Sequence, residues 1–279
     1  MIDLYKGDCL KREDGVTYIA TISGGKDSVA MTDLLCKNGY PVDYIIFQDT
    51  MAELPLMYEY IDKLKDYFMS RYNKEITVLK PKSTFEEWCF GVIKDKNADK
   101  FGWIRGIPMV WSEPCFWRRE AKQKPSDKFL KVNEIKEATY YIGYTYGENR
   151  SIQDSENIKF KYPLKDDFKM TERNCQEYLI NQEMENPLYR YFSRTGCGFC
   201  PAMSEKASFE IWKNFKETWE YMKQIEKRLL FYKGQGFDIK NSYWFPNFVS
   251  ISEYEEKFIK ADVENIQARI EENVLEYLK

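Results

Sequence analysis

A chain of 279 residues with 43% hydrophobic and 16% aromatic content is long enough to bury a full core, which excludes a disordered segment. Its 42 lysines and arginines against 45 acidic residues leave a formal charge of -3, so no overall basic character marks a nucleic-acid binder. The absence of histidine removes every imidazole base and most zinc hydrolase designs.

In chain order, "VTYIATI" (16 to 22) is mostly β-branched or aromatic and reads as a strand buried on both faces. "SVAMTDLLCKNG" follows with Val29, Met31, Leu34 and Leu35 at helical spacing, and Gly39 supplies a stop. "VDYIIFQDT" (42 to 50) is a second strand, "LMYEYIDKLKDYFMSRY" (56 to 72) a second amphipathic helix and "EITVLKP" a third strand. Such alternation is the pattern of a parallel sheet with crossover helices, which binds nucleotides at the carboxyl ends of its strands. Residues 81 to 130 are aromatic-rich and predict only short helical pieces, and "ATYYIGYTYGENR" (138 to 150) supplies a later strand and loop.

Beyond Pro163 the pattern turns helical. "TERNCQEYLINQ" opens on a threonine cap, "SEKASFEIWKNFKETWEYMKQIEKRLLFYK" (204 to 233) predicts one long helix, and the tail "SEYEEKFIKADVENIQARIEENVLEYLK" predicts another. The expected division is a nucleotide-binding α/β domain over 1–165 and a helical region over 166–279. No apolar run reaches the roughly 20 residues of a membrane span, and "MIDLYKGDCL" lacks the basic start and apolar stretch of an export signal. The expectation is a cytoplasmic protein with no membrane partner.

"TISGGKDSVAM" (21 to 31) carries the strongest signal. Gly24 and Gly25 let the backbone turn sharply against a ligand, and the helix beginning near Ser28 points unsatisfied N–H groups and its positive end at the same place. Lys26 adds a cation, and Ser23 and Ser28 add hydroxyls, which together favour a phosphate. The pattern is not a Walker loop, since Asp27 follows the lysine and the upstream glycine is missing.

"SGGKDS" after the first strand is the signature of the PP-loop ATP pyrophosphatases, and the chain resembles their phosphoadenosine phosphosulfate (PAPS) reductase-like branch. "FQDTMAELPLMYEYIDKL" reproduces the Asp-Thr strand end of that branch with Asp49, Thr50 and Glu53. "REAKQKP" (119 to 125), "IGYTYGENRS" and "YFSRTGCGFCP" are similar to its basic stretch, its glycine loop and its Cys-x-x-Cys segment. The resemblance implies a twisted parallel sheet of the adenine nucleotide α-hydrolase (HUP-like) type with a C-terminal helical region.

It further implies that Ser23, Gly24, Gly25, Lys26, Asp27 and Ser28 hold the phosphate or sulfate end of ATP, PAPS or adenosine phosphosulfate (APS). Asp49 and Thr50 would border the adenosine, with Arg119, Lys122, Gly143, Glu148 and Arg150 completing the site. Lys26, Asp27 and Ser28 are the expected catalytic set, acting with Mg2+. Asp49 is read either as a ligand of that ion or as a strand-end residue capping the next turn.

Seven cysteines without an export signal are poor candidates for disulfides. Cys197 and Cys200 have the spacing that lets two thiolates reach one metal, the other readings being a buried pair or a redox dithiol. Cys115 is the third ligand that the resemblance implies, although it stands four residues before Arg119 where two are expected. Cys89 is an outside candidate for a fourth, and Cys36 and Cys175 read as small core residues. A [4Fe-4S] cluster is the expected centre.

Arg118, Arg119, Lys122, Lys124 and Lys128, interleaved with Phe116, Trp117 and Phe129, form a basic cluster that reads for most of its members as a solvated helix face. The stripe Phe209, Trp212, Phe215, Trp219 and Met222 reads as packing. The function that the resemblance implies is ATP cleavage between the α and β phosphates, adenylating a tRNA or DNA acceptor for sulfur supplied by a donor such as a cysteine desulfurase. One alternative is a sulfonucleotide reductase, against which stands the lack of any cysteine after 200. Another is a non-catalytic nucleotide sensor or a subunit of a modification or defence complex.

Overall fold

The computed structural model describes residues 11–93, 103–111 and 114–277, with side chains omitted at 265–266 and from 268 onward. The N-terminal stretch read above for an export signal lies outside the described residues. In chain order the elements are β1 (Val16–Ile22), α1 (Lys26–Lys37), β2 (Tyr44–Gln48), α2 (Pro55–Tyr72), β3 (Ile76–Leu79), α3 (Phe85–Cys89), β4 (Val92–Ile93) and β5 (Trp103–Ile104). There follow α4 (Phe116–Arg118), a π-turn (Arg119–Gln123), α5 (Lys124–Val132), β6 (Glu137–Tyr141), β7 (Ile158–Lys161), α6 (Pro163–Asp166) and α7 (Glu172–Asn181). A 3-10 turn (Pro187–Arg190), α8 (Glu205–Asn214), α9 (Lys216–Gly234), a second 3-10 turn (Pro246–Phe248) and α10 (Ile251–Tyr277) complete the chain.

The chain forms two compact units, one of residues 1–82 and 118–197, the other of 83–117 and 198–279. This differs from the division at 165 expected from the sequence. The change from strands to helices at Pro163 does not mark a boundary, because α6 and α7 pack on α1.

The first unit holds a five-stranded sheet in the order β3-β2-β1-β6-β7, every pairing parallel. β1 is central because its β-branched and aromatic residues suit burial on both faces, and Tyr18, Ile19 and Ala20 are fully enclosed. On one face, Ile19, Ile46, Ala138 and Tyr140 pack against Phe129 and Leu130 of α5. Helix α1 packs on β1, and α2 also packs on α1. This is the α/β parallel sheet that the alternation predicted, with β7 added at an edge where no strand was expected.

Behind α1, the buried Asp33 accepts hydrogen bonds from three tyrosines. Tyr67 and Tyr72 of α2 donate to one oxygen at 2.9 and 2.8 Å, and Tyr178 of α7 donates to the other. One carboxylate thus fastens two helices to a third.

In the second unit, β4 and β5 form an antiparallel pair, and α3 begins with a Thr84–Glu87 capping box. Its core is aromatic: Phe85 meets Trp117 at 5.4 Å and Trp244 at 5.7 Å, and Trp219 meets Phe258 at 5.7 Å between ring centres. The helix expected over 204–233 is two helices, broken at Phe215, whose φ of -130 and ψ of 59 leave the helical region. The aromatic stripe packs as expected, with Trp219 and Met222 buried and Phe209 against Phe258. The C-terminal tail is helical through Tyr277. No helix among the described residues is long and apolar enough to cross a membrane.

Candidate functional site

The loop between β1 and α1 is built around two constraints on side-chain size. Gly24 has a φ of +74, and a Cβ there would lie 2.2 Å from Met57 Sδ. Gly143, after β6, presses on the first turn of α1, where an added Cβ would meet Ser28 N at 2.9 Å. Both positions therefore demand glycine, one for conformation and space and the other for close approach of two backbones.

Helix α1 starts at Lys26 with Gly25 as its cap and no side-chain capping bond. The Lys26 N–H donates to Tyr189 OH at 2.8 Å, while those of Asp27 and Ser28 have no acceptor within the helix. Around them Ser28 Oγ accepts from Ser23 N at 3.0 Å and donates to Gly25 O at 3.0 Å, and Asn186 Nδ2 donates to Gly24 O at 2.8 Å. The loop is thereby held in shape at the N-terminal, positive end of α1, a place that favours anions.

The loop opens into a cleft of ≈ 230 Å3, floored by Thr21, Ile22 and Ser23 of the β1 end and walled by Gln48, Ile142 and Tyr144. Asp27, Ser28, Glu53, Lys122, Gly143 and Arg150 also line it. Asp27 is pushed up to about 6 by burial, with Lys26 pulling the other way, and its buried Oδ1 has no hydrogen-bond partner. Glu53 is raised by burial as well, against the Thr50 hydroxyl, which donates to it at 2.6 Å. Arg150 pairs with Glu148 and lies 4.6 Å from the centre of the Tyr144 ring.

Lys26 does not line this cleft; its ammonium meets Glu172 at 2.9 Å, and the residue is 8% exposed. Burial alone would lower its pKa, yet Glu172 and Asp27 hold it above the ordinary lysine value. Asp49 is also occupied. It accepts from Met51 N at 2.7 Å and Tyr58 OH at 3.0 Å and lies 3.5 Å from Lys80, the turn-capping arrangement. Thr50 is buried, with Oγ1 3.5 Å from Cys197 Sγ. Arg119 is exposed on the π-turn, and Glu148 accepts from Thr145 N at 2.9 Å. Of the expected set, Ser23, Gly25, Asp27, Ser28, Lys122, Gly143 and Arg150 meet at one cleft, and Gly24 shapes its loop.

Among the described residues, no three Cys, Asp or Glu side chains stand together as a metal-binding group. Cys197 belongs to the first unit and Cys115 and Cys200 to the second, and the buried Cys89 has its thiol pushed well up by desolvation. Cys175 is fully buried, as expected of a core residue, and Cys36 is partly so.

Sequence reasoning missed Gln48, Tyr189, Asn186 and Glu172. Each supports the loop or walls the cleft, and the last three act from more than 140 residues away in sequence.

Residues 17–203, well over half of the chain, match the model of the phosphoadenosine phosphosulfate reductase domain. A comparison with curated protein sequences gives no match. Among solved structures, the chain is similar to phosphoadenylyl-sulfate (PAPS) reductase from Candida auris in its phosphate complex. The identity is 19% and the TM-score 0.45, over 65% of this chain and 81% of that one. It is also similar to the U34-tRNA thiolase NcsA from Methanococcus maripaludis with its [4Fe-4S] cluster, at 16% identity and TM-score 0.39, over 78% of this chain and 67% of that one. The glycine-tight loop, its place at the end of β1 and the family match lead to one conclusion: the chain belongs to the phosphoadenosine phosphosulfate reductase domain family.

Proposed function

We propose that the cleft binds an adenosine nucleotide by its phosphate end and that the enzyme splits ATP between the α and β phosphates, passing the adenylyl group to an acceptor that then receives sulfur. The observation that carries this reading is the loop at the start of α1, where Gly24 and the packed-on Gly143 accept only glycine, beside a cleft lined by Lys122 and Arg150.

An acceptor oxygen attacks the α phosphorus, the bond to the β-phosphate oxygen breaks, and pyrophosphate leaves with that electron pair. The α1 amides, Lys122 and Arg150 offset the charge growing on the leaving group. Asp27, with an unpartnered buried oxygen, and Glu53 both line the cleft and are the hard oxygen donors that would hold a Mg2+ ion. Such an ion would neutralise phosphate charge. Lys26, held by Glu172, acts through the helix start and not on the phosphates directly.

The test is pyrophosphate release from ATP with tRNA or DNA as added acceptor, beside Gly25→Asp. A Cβ at Gly25 would already lie 3.1 Å from Thr195 Oγ1, and the new carboxylate would oppose the anion. Release that depends on acceptor and disappears in Gly25→Asp supports the reading; release unchanged in that variant overturns it. Tight ATP binding without turnover on any acceptor would mark a nucleotide sensor instead.

The family match favours a second reading, reduction of a sulfonucleotide. Cys197 is the thiol that this reading requires, since Thr50 links it to Glu53 of the cleft. Turnover of PAPS or APS with a dithiol reductant, lost in Cys197→Ser, would establish it.

A further inference from the structure

Between Lys227 and Tyr243 the chain leaves α9 and crosses a loop, and the exposed charges of this stretch are Lys227, Arg228, Lys233 and Lys240 against one acid, Asp238. In a chain whose formal charge is -3, it is locally basic. It also exposes aromatic rings. Phe231, Phe237 and, a few residues on, Phe248 are each more than half exposed, although phenylalanine is among the residues most often enclosed.

The rings stand in fixed places. Tyr232 meets Phe231, Phe237 and Phe90 with ring centres 5.8, 5.6 and 6.0 Å apart, and Tyr243 meets Phe248 at 5.7 Å. Lys233 joins the two groups, since it follows Tyr232 in the helix and its ammonium lies 5.8 Å from the centre of the Tyr243 ring. The loop beneath is tied down. Ile104 of β5 donates to Asp238 O at 2.8 Å and accepts from Lys240 N at 3.1 Å, and Asn241 Nδ2 donates to Ile107 O at 3.1 Å. Gly106 admits this packing, because a Cβ there would stand 1.8 Å from Asn241 O. Rings and cations are thus held side by side on one surface of the second unit.

Protein–protein interfaces are depleted in lysine, whereas exposed rings interleaved with lysine and arginine suit a polyanion whose bases are free to stack. Arg228 is paired with Glu86 and lies 4.3 Å from the centre of the Phe90 ring, but no carboxylate pairs with Lys227 or Lys233 among the described residues. We infer that this face binds single-stranded nucleic acid: Phe231, Phe237 and Phe248 stack on bases, and Lys227 and Lys233 neutralise phosphates. A duplex is a poor ligand, because its bases are stacked on one another and do not reach the rings. The face lies outside the nucleotide cleft, and the inference shares with the reading above only the idea of a nucleic-acid acceptor.

The test is fluorescence anisotropy of labelled oligodeoxythymidylate and oligouridylate, each of about 16 nucleotides, titrated with the full chain in the absence of ATP. The wild type should bind at least one strand, and a duplex of the same length about tenfold more weakly. Tighter binding of oligouridylate names RNA as the ligand, and tighter binding of oligodeoxythymidylate names DNA. Phe231→Ala and Phe237→Ala, both at exposed positions, should each lower the affinity about tenfold. Lys233→Met should reduce the slope of log affinity against log salt by about 0.7, a change that a merely structural role does not produce. ATP titration of the same variants should match the wild type, so a failure here spares the nucleotide reading, and a wild type that binds a strand but no ATP overturns that reading alone. No binding of either strand, equal binding of duplex, or binding that survives both phenylalanine variants overturns the inference. It also falls if no strand binds and the same variants abolish a concentration-dependent dimer or adhesion to phosphatidylserine vesicles, since the face then belongs to a second copy or to a membrane surface.

Discussion

Gly143 and Ser28 are in backbone contact: a Cβ on the glycine would stand 2.9 Å from the serine nitrogen and 3.0 Å from its Cα. The loop after β6 is thus pressed against the first turn of α1, and nothing on either side is a flexible side chain that can step aside. Gly143→Ala should cost about 1–3 kcal/mol in stability through overpacking and weaken ATP binding at least tenfold. Gly196→Ala, whose added Cβ would meet nothing within 4 Å, is the matched control and should change neither. Thermal unfolding and ATP titration of the two variants make the comparison, and equal effects would refute it.

The cations near the loop have separable roles. Lys122 and Arg150 line the cleft, whereas Lys26 is committed to Glu172. Lys122→Met or Arg150→Met should lower triphosphate affinity about tenfold with little loss of stability. Lys26→Met should show the opposite balance, a lower unfolding midpoint and a smaller change in affinity. ATP titration paired with urea unfolding separates the two patterns.

Asp33 is the shared acceptor of three tyrosine hydroxyls from α2 and α7. Tyr72→Phe removes one of them and should cost about 1 kcal/mol, while Asp33→Ala leaves all three without their acceptor and should cost more than twice as much. Urea midpoints measure both. Similar losses would show that the carboxylate is not the hub.

Glu226 should give the second unit a pH-dependent stability. Burial pushes it up to about 7 from the ordinary 4.5, although it accepts N–H bonds from Ile251 at 2.7 Å and Trp244 at 3.2 Å. Between pH 4.5 and 7 the folded form holds a proton that the unfolded chain has released, so stability falls as pH rises through this window. Glu226→Gln, which does not titrate, should flatten the slope. Unfolding temperatures at pH 5 and pH 8 for both proteins give the answer, and a wild-type curve parallel to that of the variant would contradict it.

Much of the first unit was legible because its signals are local. The continuous apolar run of β1, the 3.6-residue spacing of α1 and α2 and the glycines between them each lie within a short window. β7 was missed although Ile158 and Phe160 alternate with Lys159 and Lys161, the pattern of a half-exposed edge strand. The break at Phe215 carries no glycine or proline, so helical spacing alone ran the two helices together. The contact of Lys26 with Glu172 was not legible because that partner lies 146 residues away. Asp49 offered two readings, and the bonds from Met51 N and Tyr58 OH that give it its capping geometry were not legible beforehand. The unit to which residues 83–117 belong was not legible, since its core joins rings such as Phe85 and Trp244 from distant parts of the chain.

The sheet order has a consequence for how the chain is made. β1 pairs with β2 through Ile19 and Tyr44, but its other edge pairs with β6, Val16 lying opposite Glu137. During synthesis the first three strands emerge together and can zip up early, while one edge of the central strand stays open until residue 141 has left the ribosome. Pairing across so long a loop is slow, and an open apolar strand is a template for wrong partners. The nascent chain is therefore most vulnerable to aggregation in the interval between β3 and β6, and ribosome-bound chains stalled there should bind chaperones more strongly than chains stalled after β7.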